Sequence, residues 1–265
     1  MTDPIRRMFR LSSLPFRLFF IIMVLLPSAP TQADPAADRV QELFRQGWDF
    51  ESRMHLDLTN LDRAMAVYEE AICLAPDNEE ARWRLGEVTF KKSEEVRDPK
   101  ERKQLVERTI ALAEQALAMN PKSVGGMYWA GTAYARLADM SGMLSAIKQI
   151  SQAKTYLHQA MATDPDHRLS VLSGVILALI YSQAPWPVKD QPRAMELARR
   201  AYEKDPDLTI ASLSLAKVYL AEGKTGPAVA LLEKCLATER PTYIWDAVLY
   251  DWPEAKKILT GIRPQ

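Results

Sequence analysis

One short helical pattern recurs five times along the 265-residue chain and restricts what the chain can fold into. Its clearest copy is Ala153, Leu157 and Ala160, followed by Pro165. Residues four and three apart share one face of an α-helix, and small side chains there let a neighbouring helix approach closely. Proline cannot continue the helix. The other copies are Ala64/Tyr68/Ala71/Pro76, Thr109/Ala113/Ala116/Pro121, Ala194/Ala198/Ala201/Pro206 and Ala228/Leu232/Cys235, the last with its proline one place late at Pro241. The pattern predicts an array of helix pairs.

The stretches between these copies carry the residues of the first helix of a known repeat. The matching positions are Trp48, Leu85, Gly86, Gly131, Tyr134, Leu215 and Tyr219. Over about 40–260 the chain therefore resembles a tetratricopeptide-repeat protein, whose repeat is a helix-turn-helix unit. This resemblance implies an all-α fold: a right-handed α-solenoid of about five repeats with short C-terminal capping helices. We expect one domain over 34–260.

Three segments interrupt or end the array. Lys91–Lys103 carries many charges of both signs, so we expect a solvated extension of a helix. Gln183–Pro192 holds three prolines around Trp186 and is predicted to be a loop. Residues 243–260 are predicted to form one or two closing helices, and repeat arrays need such caps for their exposed last core. The side chains expected to cover that core are Trp245, Ile258 and Leu259.

The N-terminus has the pattern of a secretory signal peptide. Four arginines precede the nine-residue apolar run Leu18–Leu26, and Pro27–Ala33 then offers small residues for cleavage. A membrane-spanning helix needs roughly 20 apolar residues, which disfavours a retained anchor without removing that alternative. We therefore predict a signal peptide over 1–33, cleavage near Ala33, and a periplasmic or secreted protein that does not span the membrane after cleavage.

The charge balance of the chain bears on its partners, and its two cysteines bear on disulfide formation. The formal net charge is zero, and residues 1–33 carry four arginines and one aspartate, which leaves 30 basic and 33 acidic residues beyond them. This balance gives no reason to expect nucleic acid as a partner.

Cys73 and Cys235 fall in the first and last repeats, too far apart in a solenoid for a disulfide. Cys235 replaces an alanine of the repeated pattern, so we expect it to be buried.

No motif in the sequence supports catalysis, a cofactor or a metal. Gly223-Lys224-Thr225 lacks the earlier glycine and the strand of a phosphate-binding loop. The histidines have no metal-ligand spacing with one another or with cysteine. We therefore predict a protein that is not an enzyme and has neither cofactor nor metal site.

Partner binding is predicted on the concave face of the array. In tetratricopeptide-repeat proteins, set positions of each first helix line that groove. Mapped onto this chain, they are Trp83, Arg84, Glu87, Phe90, Tyr128, Trp129, Thr132 and Arg136. Aromatic and arginine side chains dominate the energetics of many binding surfaces. For Trp83 and Trp129 a place in the core is an equal alternative, whereas Tyr128 and Arg136 are expected to be the least buried.

Residues 124–206 resemble a narrower group. Tyr128-Trp129, Gly131, Leu157 with Ala160, and the proline-rich loop are similar to the repeats of the T-component of TRAP transporters and to regulator-of-microtubule-dynamics repeats. The resemblance implies a periplasmic helical protein working beside a solute-binding protein, with a homo-oligomer left open. Our leading hypothesis is an exported scaffold that binds a protein or peptide partner in the groove. The alternatives are a small-molecule-binding accessory subunit of a TRAP-type transporter and, least favoured, an enzyme.

Overall fold

The computed structural model describes residues 35–262, and these residues form helices and turns without any strand. Five helix pairs are followed by a C-terminal segment that contains one π-helical turn. The elements are α1 (Pro35–Ser52), α2 (Thr59–Leu74), α3 (Glu79–Glu95), α4 (Pro99–Met119), α5 (Val124–Asp139), α6 (Met143–Thr163), α7 (Arg168–Gln183), α8 (Gln191–Lys204), α9 (Thr209–Ala221), α10 (Thr225–Ala237), α11 (Ile244–Asp246), the π-turn (Ala247–Asp251) and α12 (Trp252–Ile262).

The repeated pattern is a packing motif, as the sequence predicts. Its copies fall on the second helix of each pair: α2, α4, α6, α8 and α10. None of the fifteen side chains that precede the prolines is more than 4% exposed. On α6, Leu157 lies directly against Gly131 of α5, where a Cβ atom would clash. Close approach of paired helices is therefore built into the repeat.

The first helices of the pairs form the inner layer of the array. From α1 to α10 each helix contacts the next one along the chain, and α3, α5, α7 and α9 also contact one another in that order. This arrangement is the all-α, tetratricopeptide-like solenoid that the sequence predicts. Because the inner helices line one concave surface, their side chains determine what that surface can bind.

Local signals set several helix ends. Asp98 Oδ1 accepts a hydrogen bond from the backbone N–H of Glu101, and Pro99 opens α4, as expected for a capped N-terminus. The loop predicted at Gln183–Pro192 is confirmed over 184–190, whereas Gln183 ends α7 and Gln191 begins α8. Gly223 has a φ of +74° in the turn before α10, a conformation that glycine adopts without the penalty of a Cβ atom.

The predicted solvated extension at Lys91–Lys103 is wrong at its start. Lys91 and Ser93 are buried, because the last turns of α3 lie inside the array rather than beyond it. Cys235 is buried as expected, and Cys73 is exposed. The predicted signal peptide over 1–33 lies outside the described residues, so the domain boundary at 34 stays a prediction.

Candidate functional site: a cavity closed by the C-terminal segment

A cavity of about 730 Å³ lies on the concave side of the array. Side chains of α3, α5, α6, α7 and α9 line it, and residues 243–251 form a further wall. A volume of this size falls in the range of sites that enclose a small molecule or a short stretch of a larger partner.

Six of the eight predicted groove residues line this cavity: Glu87, Phe90, Tyr128, Trp129, Thr132 and Arg136. The other two do not. Trp83 is 8% exposed and lies against Gly125, so it belongs to the core between α3 and α5. Arg84 does not line the cavity and forms an ion pair with Glu80, with 2.7 Å between Nη2 and Oε1. Whether any of these residues binds a partner stays a prediction.

The aromatic side chains that line the cavity also pack within the core of the array. Tyr128 and Trp129 are 6% and 4% exposed, and their ring centroids are 4.8 Å apart in an edge-on arrangement. The Phe90 ring lies 5.5 Å from that of Trp129. The expectation that Tyr128 is among the least buried groove residues is therefore wrong, because neighbouring inner helices pack against it. Arg136, with 38% of its side chain exposed, fits the expectation better.

A buried ion cluster forms the cavity floor beside α3. Lys91 Nζ lies 2.5 Å from Glu51 Oε1 and 3.4 Å from Glu87 Oε1, and Arg168 Nη2 lies 3.7 Å from Glu87 Oε2. Burial and the nearby Glu87 charge raise the pKa of Glu51 to about 8. At Glu87 burial is outweighed by Lys91 and Arg168, which lower its pKa. The two acids are therefore shifted in opposite directions, Glu51 toward its protonated form and Glu87 toward its ionised form.

The wall formed by residues 243–251 reaches back to the start of the array. The Trp245 ring meets that of Trp48 edge-on at 5.3 Å, and Lys91 Nζ lies 5.6 Å from the Trp245 ring centroid. The Tyr250 hydroxyl donates to Glu95 Oε1 at 2.7 Å. The prediction that Trp245 covers the last repeat is wrong, because it packs instead with Met54 and Leu61 of the first pair and its loop. Ile258 and Leu259 do pack on the core of the later repeats.

Two carboxyl groups of this wall line the cavity without a basic nitrogen within 4.0 Å. Asp246 forms no side-chain hydrogen bond and no ion pair within 4.0 Å among residues 35–262. Asp251, 3% exposed, accepts a hydrogen bond from the Thr209 hydroxyl at 2.6 Å and makes no ion pair with a described residue. Burial raises the pKa of both groups, and that of Asp251 to about 7. Burial therefore disfavours the charged form of both groups.

The opposite end of the cavity is apolar. Half-buried leucine and isoleucine side chains of α6 and α7 line it, followed by the chain after α7. The residues are Ile150, Leu172, Ile176, Leu179, Ala184 and Pro185. The Arg136–Glu94 ion pair, with Nη2 2.5 Å from Oε2, belongs to the charged part of the lining. The cavity is therefore amphipathic, with an apolar region at one end and charged groups at the other.

Sequence reasoning predicted Glu87 and Arg136 but missed three other charged residues of the cavity, Lys91, Asp246 and Asp251. Lys91 stands four residues after Glu87 and so shares its helix face, a signal that was available. Asp246 and Asp251 carried no comparable signal, because they lie outside the repeats. Among the described residues, no group of histidine, cysteine, aspartate and glutamate side chains is arranged to hold a metal ion.

Comparison with known proteins supports the fold. The family model of regulator of microtubule dynamics protein 1-3 matches residues 51–175, and no curated protein matches the chain. The structure of TTC0263, a thermophilic tetratricopeptide-repeat protein of Thermus thermophilus, superposes with a TM-score of 0.62 at 20% identity, covering 82% of this chain and 99% of that one. PilF of Pseudomonas aeruginosa gives 0.53 at 14% identity, covering 87% and 95%.

These similarities establish a tetratricopeptide-like fold and no more than the fold, because sequence identity is low throughout. The match to the microtubule-dynamics family agrees with the resemblance seen in the repeats, and it covers less than half of the chain. Within residues 35–262, no helix combines the length and the apolar character that crossing a membrane requires.

Proposed function

We propose that the protein is a non-enzymatic binding scaffold, and that its concave cavity receives a short segment of a partner protein. The observation that carries this proposal is the cavity itself: a space of about 730 Å³ with aromatic side chains, an apolar end and a charged end. Concave sites of this composition, with a few polar groups that fix orientation, are typical binding sites. The residues we assign to binding are Glu87, Phe90, Tyr128, Trp129, Thr132 and Arg136.

The C-terminal wall limits the form of the partner. An open solenoid groove can accept a long helix, but residues 243–251 cross the concave side here and contact α1 and α3. The space that remains lies between α3, α5, α7, α9 and this wall. A short segment or a loop tip therefore fits better than a continuous helix of many turns.

We propose further that the scaffold acts outside the cytoplasm. The support is the signal-peptide pattern over 1–33, with its arginines and its nine-residue apolar run. A C-terminally tagged chain should be recovered from the periplasm with its mature N-terminus near Asp34. Recovery of the intact N-terminus in the membrane fraction would favour the retained-anchor alternative.

A second candidate is a small-molecule-binding accessory subunit, as the T-component resemblance implies. The specific observation in its favour is the enclosure of the cavity by the C-terminal segment, which suits a compact ligand. On this alternative the partner protein, such as a periplasmic solute-binding protein, would contact the outer surface of the array rather than the cavity.

A photo-crosslinking side chain distinguishes the two candidates. Placed at Ile176, which lines the apolar end of the cavity, it should crosslink in the cell to one short peptide of a partner protein. The matched control is Leu74 on α2, which is 44% exposed and lies away from the cavity. A peptide crosslink from Ile176 that is absent from Leu74 supports the scaffold proposal.

The opposite results are equally clear. A small-molecule adduct at Ile176, seen by native mass spectrometry and without any protein crosslink, would favour the accessory-subunit candidate. A protein crosslink of equal yield from both positions would contradict binding in the cavity. As a further check, Ile176→Trp should fill the cavity and abolish the specific crosslink of a second probe placed at Leu179.

A further inference from the structure

The charges that line the cavity are not balanced. All four basic side chains in its lining have an acidic partner within 4.0 Å. The pairs are Lys91–Glu51, Arg136–Glu94, Arg168–Glu87 and Lys217–Glu254, with N–O distances of 2.5, 2.5, 3.7 and 3.1 Å. Among the acidic side chains of the lining, Asp246 and Asp251 have no such basic partner in the described chain. The lining carboxyl groups that lack a close ion pair therefore both belong to the C-terminal wall.

The π-turn brings these two carboxyl groups together. In this turn the Trp252 N–H donates to the carbonyl of Ala247, five residues earlier, rather than four as in an α-helix. Residues five apart then stack on one face, and Asp246 and Asp251 both line the cavity. In a regular α-helix a spacing of five would turn the second side chain well away from the first. π-turns occur frequently at functional sites.

Other polar groups in the same lining also lack partners. Thr132 is 7% exposed, and its Oγ1 is buried without a hydrogen bond. Trp129 is 4% exposed, and its Nε1 is likewise unpaired. Buried polar groups are nearly always hydrogen-bonded in folded proteins, and the Thr132 oxygen is an acceptor that a ligand with N–H donors satisfies, whereas the Trp129 N–H only donates and does not itself favour a cation. Tyr128 and Trp129 add aromatic faces, which attract organic cations.

We propose that the cavity binds an amphipathic organic cation, a primary ammonium or guanidinium group on an apolar body. The cationic group lies between Asp246 and Asp251, and the apolar body extends along Leu172 and Ile176. This inference rests on the cavity-binding function proposed above and specifies its ligand. The cation is supplied either by a free amine or by a lysine or arginine side chain of a partner segment.

Three probes with one body and different head groups test the charge. Hexylamine, hexanol and hexanoate are titrated at pH 8 and followed by tryptophan fluorescence, because Trp129 and Trp245 lie in the cavity lining. We expect hexylamine to bind roughly tenfold or more tightly than hexanol, and hexanoate to bind most weakly. Equal binding of all three would overturn the cation inference while leaving a binding cavity. If none of them binds, the cavity function fails as well.

Substitutions of the two aspartates test where the ammonium group of hexylamine binds. Asp246→Asn and Asp251→Asn should each weaken hexylamine roughly tenfold and leave hexanol unchanged. The matched control is Asp139→Asn, which changes another cavity aspartate with 70% of its side chain exposed and a basic partner, Arg136, at 3.7 Å. Circular dichroism confirms that each variant folds. Equal loss in the control, or no loss in either Asp246→Asn or Asp251→Asn, would overturn the assignment.

Two peptides distinguish the sources of the cation. Acetyl-Gly-Leu-Lys-Leu-Gly-amide is compared with the same peptide carrying norleucine in place of lysine. If the lysine peptide binds more tightly than hexylamine and its norleucine counterpart does not bind, the cation comes from a partner segment. If hexylamine binds and neither peptide does, the ligand is a free amine. Binding of both peptides alike would contradict recognition of the cation.

Discussion

The last two helix pairs, α7–α10, and the segment after them, residues 243–262, bury their side chains in different ways. Leu197 and Leu232 of α8 and α10 belong to the core that their helices share with adjacent repeats. In the C-terminal segment, Trp245 packs on Trp48, and Tyr250 bonds Glu95 across 155 residues of sequence. The repeats therefore extend the array, whereas the segment closes it.

This difference explains why the concave side holds a cavity. A solenoid whose repeats touch only their neighbours leaves its groove open along its whole length. Here the long-range contacts of Trp245 and Tyr250 draw the C-terminal segment over the inner helices. They also require a larger loss of chain entropy than local contacts do, so they should form after the repeats.

The largest loss of stability is expected when the Lys91 ammonium, which lies near the Trp245 ring of the C-terminal segment, is removed. Lys91→Met leaves Glu51, Glu87 and Asp246 without their shared cation, and we expect a loss of about 3–5 kcal/mol in the free energy of unfolding. The control is Lys92→Met, whose pair with Asp62 is more exposed and should contribute less than about 1 kcal/mol. Urea denaturation measures both. Equal losses would mean that the buried cluster does not hold the segment in place.

Ala160→Leu tests the repeats rather than the closing segment. Ala160 is fully buried, and its carbonyl accepts a hydrogen bond from Ser170 of α7. The added volume should cost roughly 1–3 kcal/mol by overpacking. Gln159→Leu, on an exposed position one residue earlier, should cost much less. Two losses of the same size, measured by the same denaturation experiment, would contradict the packing role of the repeated pattern.

The raised pKa of Asp251 predicts that the free energy of unfolding depends on pH through the C-terminal segment. Burial raises this pKa to about 7, with a further contribution from Asp246, while Thr209 and Lys217 lower it. The folded state therefore holds a proton that the unfolded state has lost, and stability falls as pH rises through 7. Between pH 6 and pH 8 the wild type should lose about 1.4 kcal/mol more than Asp251→Asn. If the wild type and Asp251→Asn lose the same amount of stability between pH 6 and pH 8, the raised pKa of Asp251 is contradicted.

The smallest expected effect comes from single hydroxyl groups. Tyr250→Phe removes the bond to Glu95 and should cost about 1 kcal/mol, because the bond is partly buried and has a charged acceptor. Tyr202→Phe removes an exposed hydroxyl that accepts from Lys234 within the repeats and should cost less. Thermal unfolding of the two variants compares them. A larger loss for Tyr202→Phe would reverse the ranking of the two regions.

The inner helices show how far sequence reasoning reaches into the site. Repeat positions placed Phe90, Tyr128 and Trp129 at the cavity, because the register of an inner helix follows from the repeat. The same reasoning misjudged Trp83, since the contact with Gly125 depends on how two successive pairs are stacked. It also misjudged Lys91, because a dense run of charges resembles a solvated helix until a buried partner such as Glu51 is known.

The sequence by itself determined the helix pairs, their buried faces and several of their ends. Helical period, small side chains and capping residues act within a few residues of one another, so they leave a pattern that can be read along the chain. Only the tertiary structure decided that residues 243–251 close the groove and that Asp246 and Asp251 face the same space. The reason is physical: the contact between Trp48 and Trp245 joins distant parts of the chain, and the π-turn has no periodic signature.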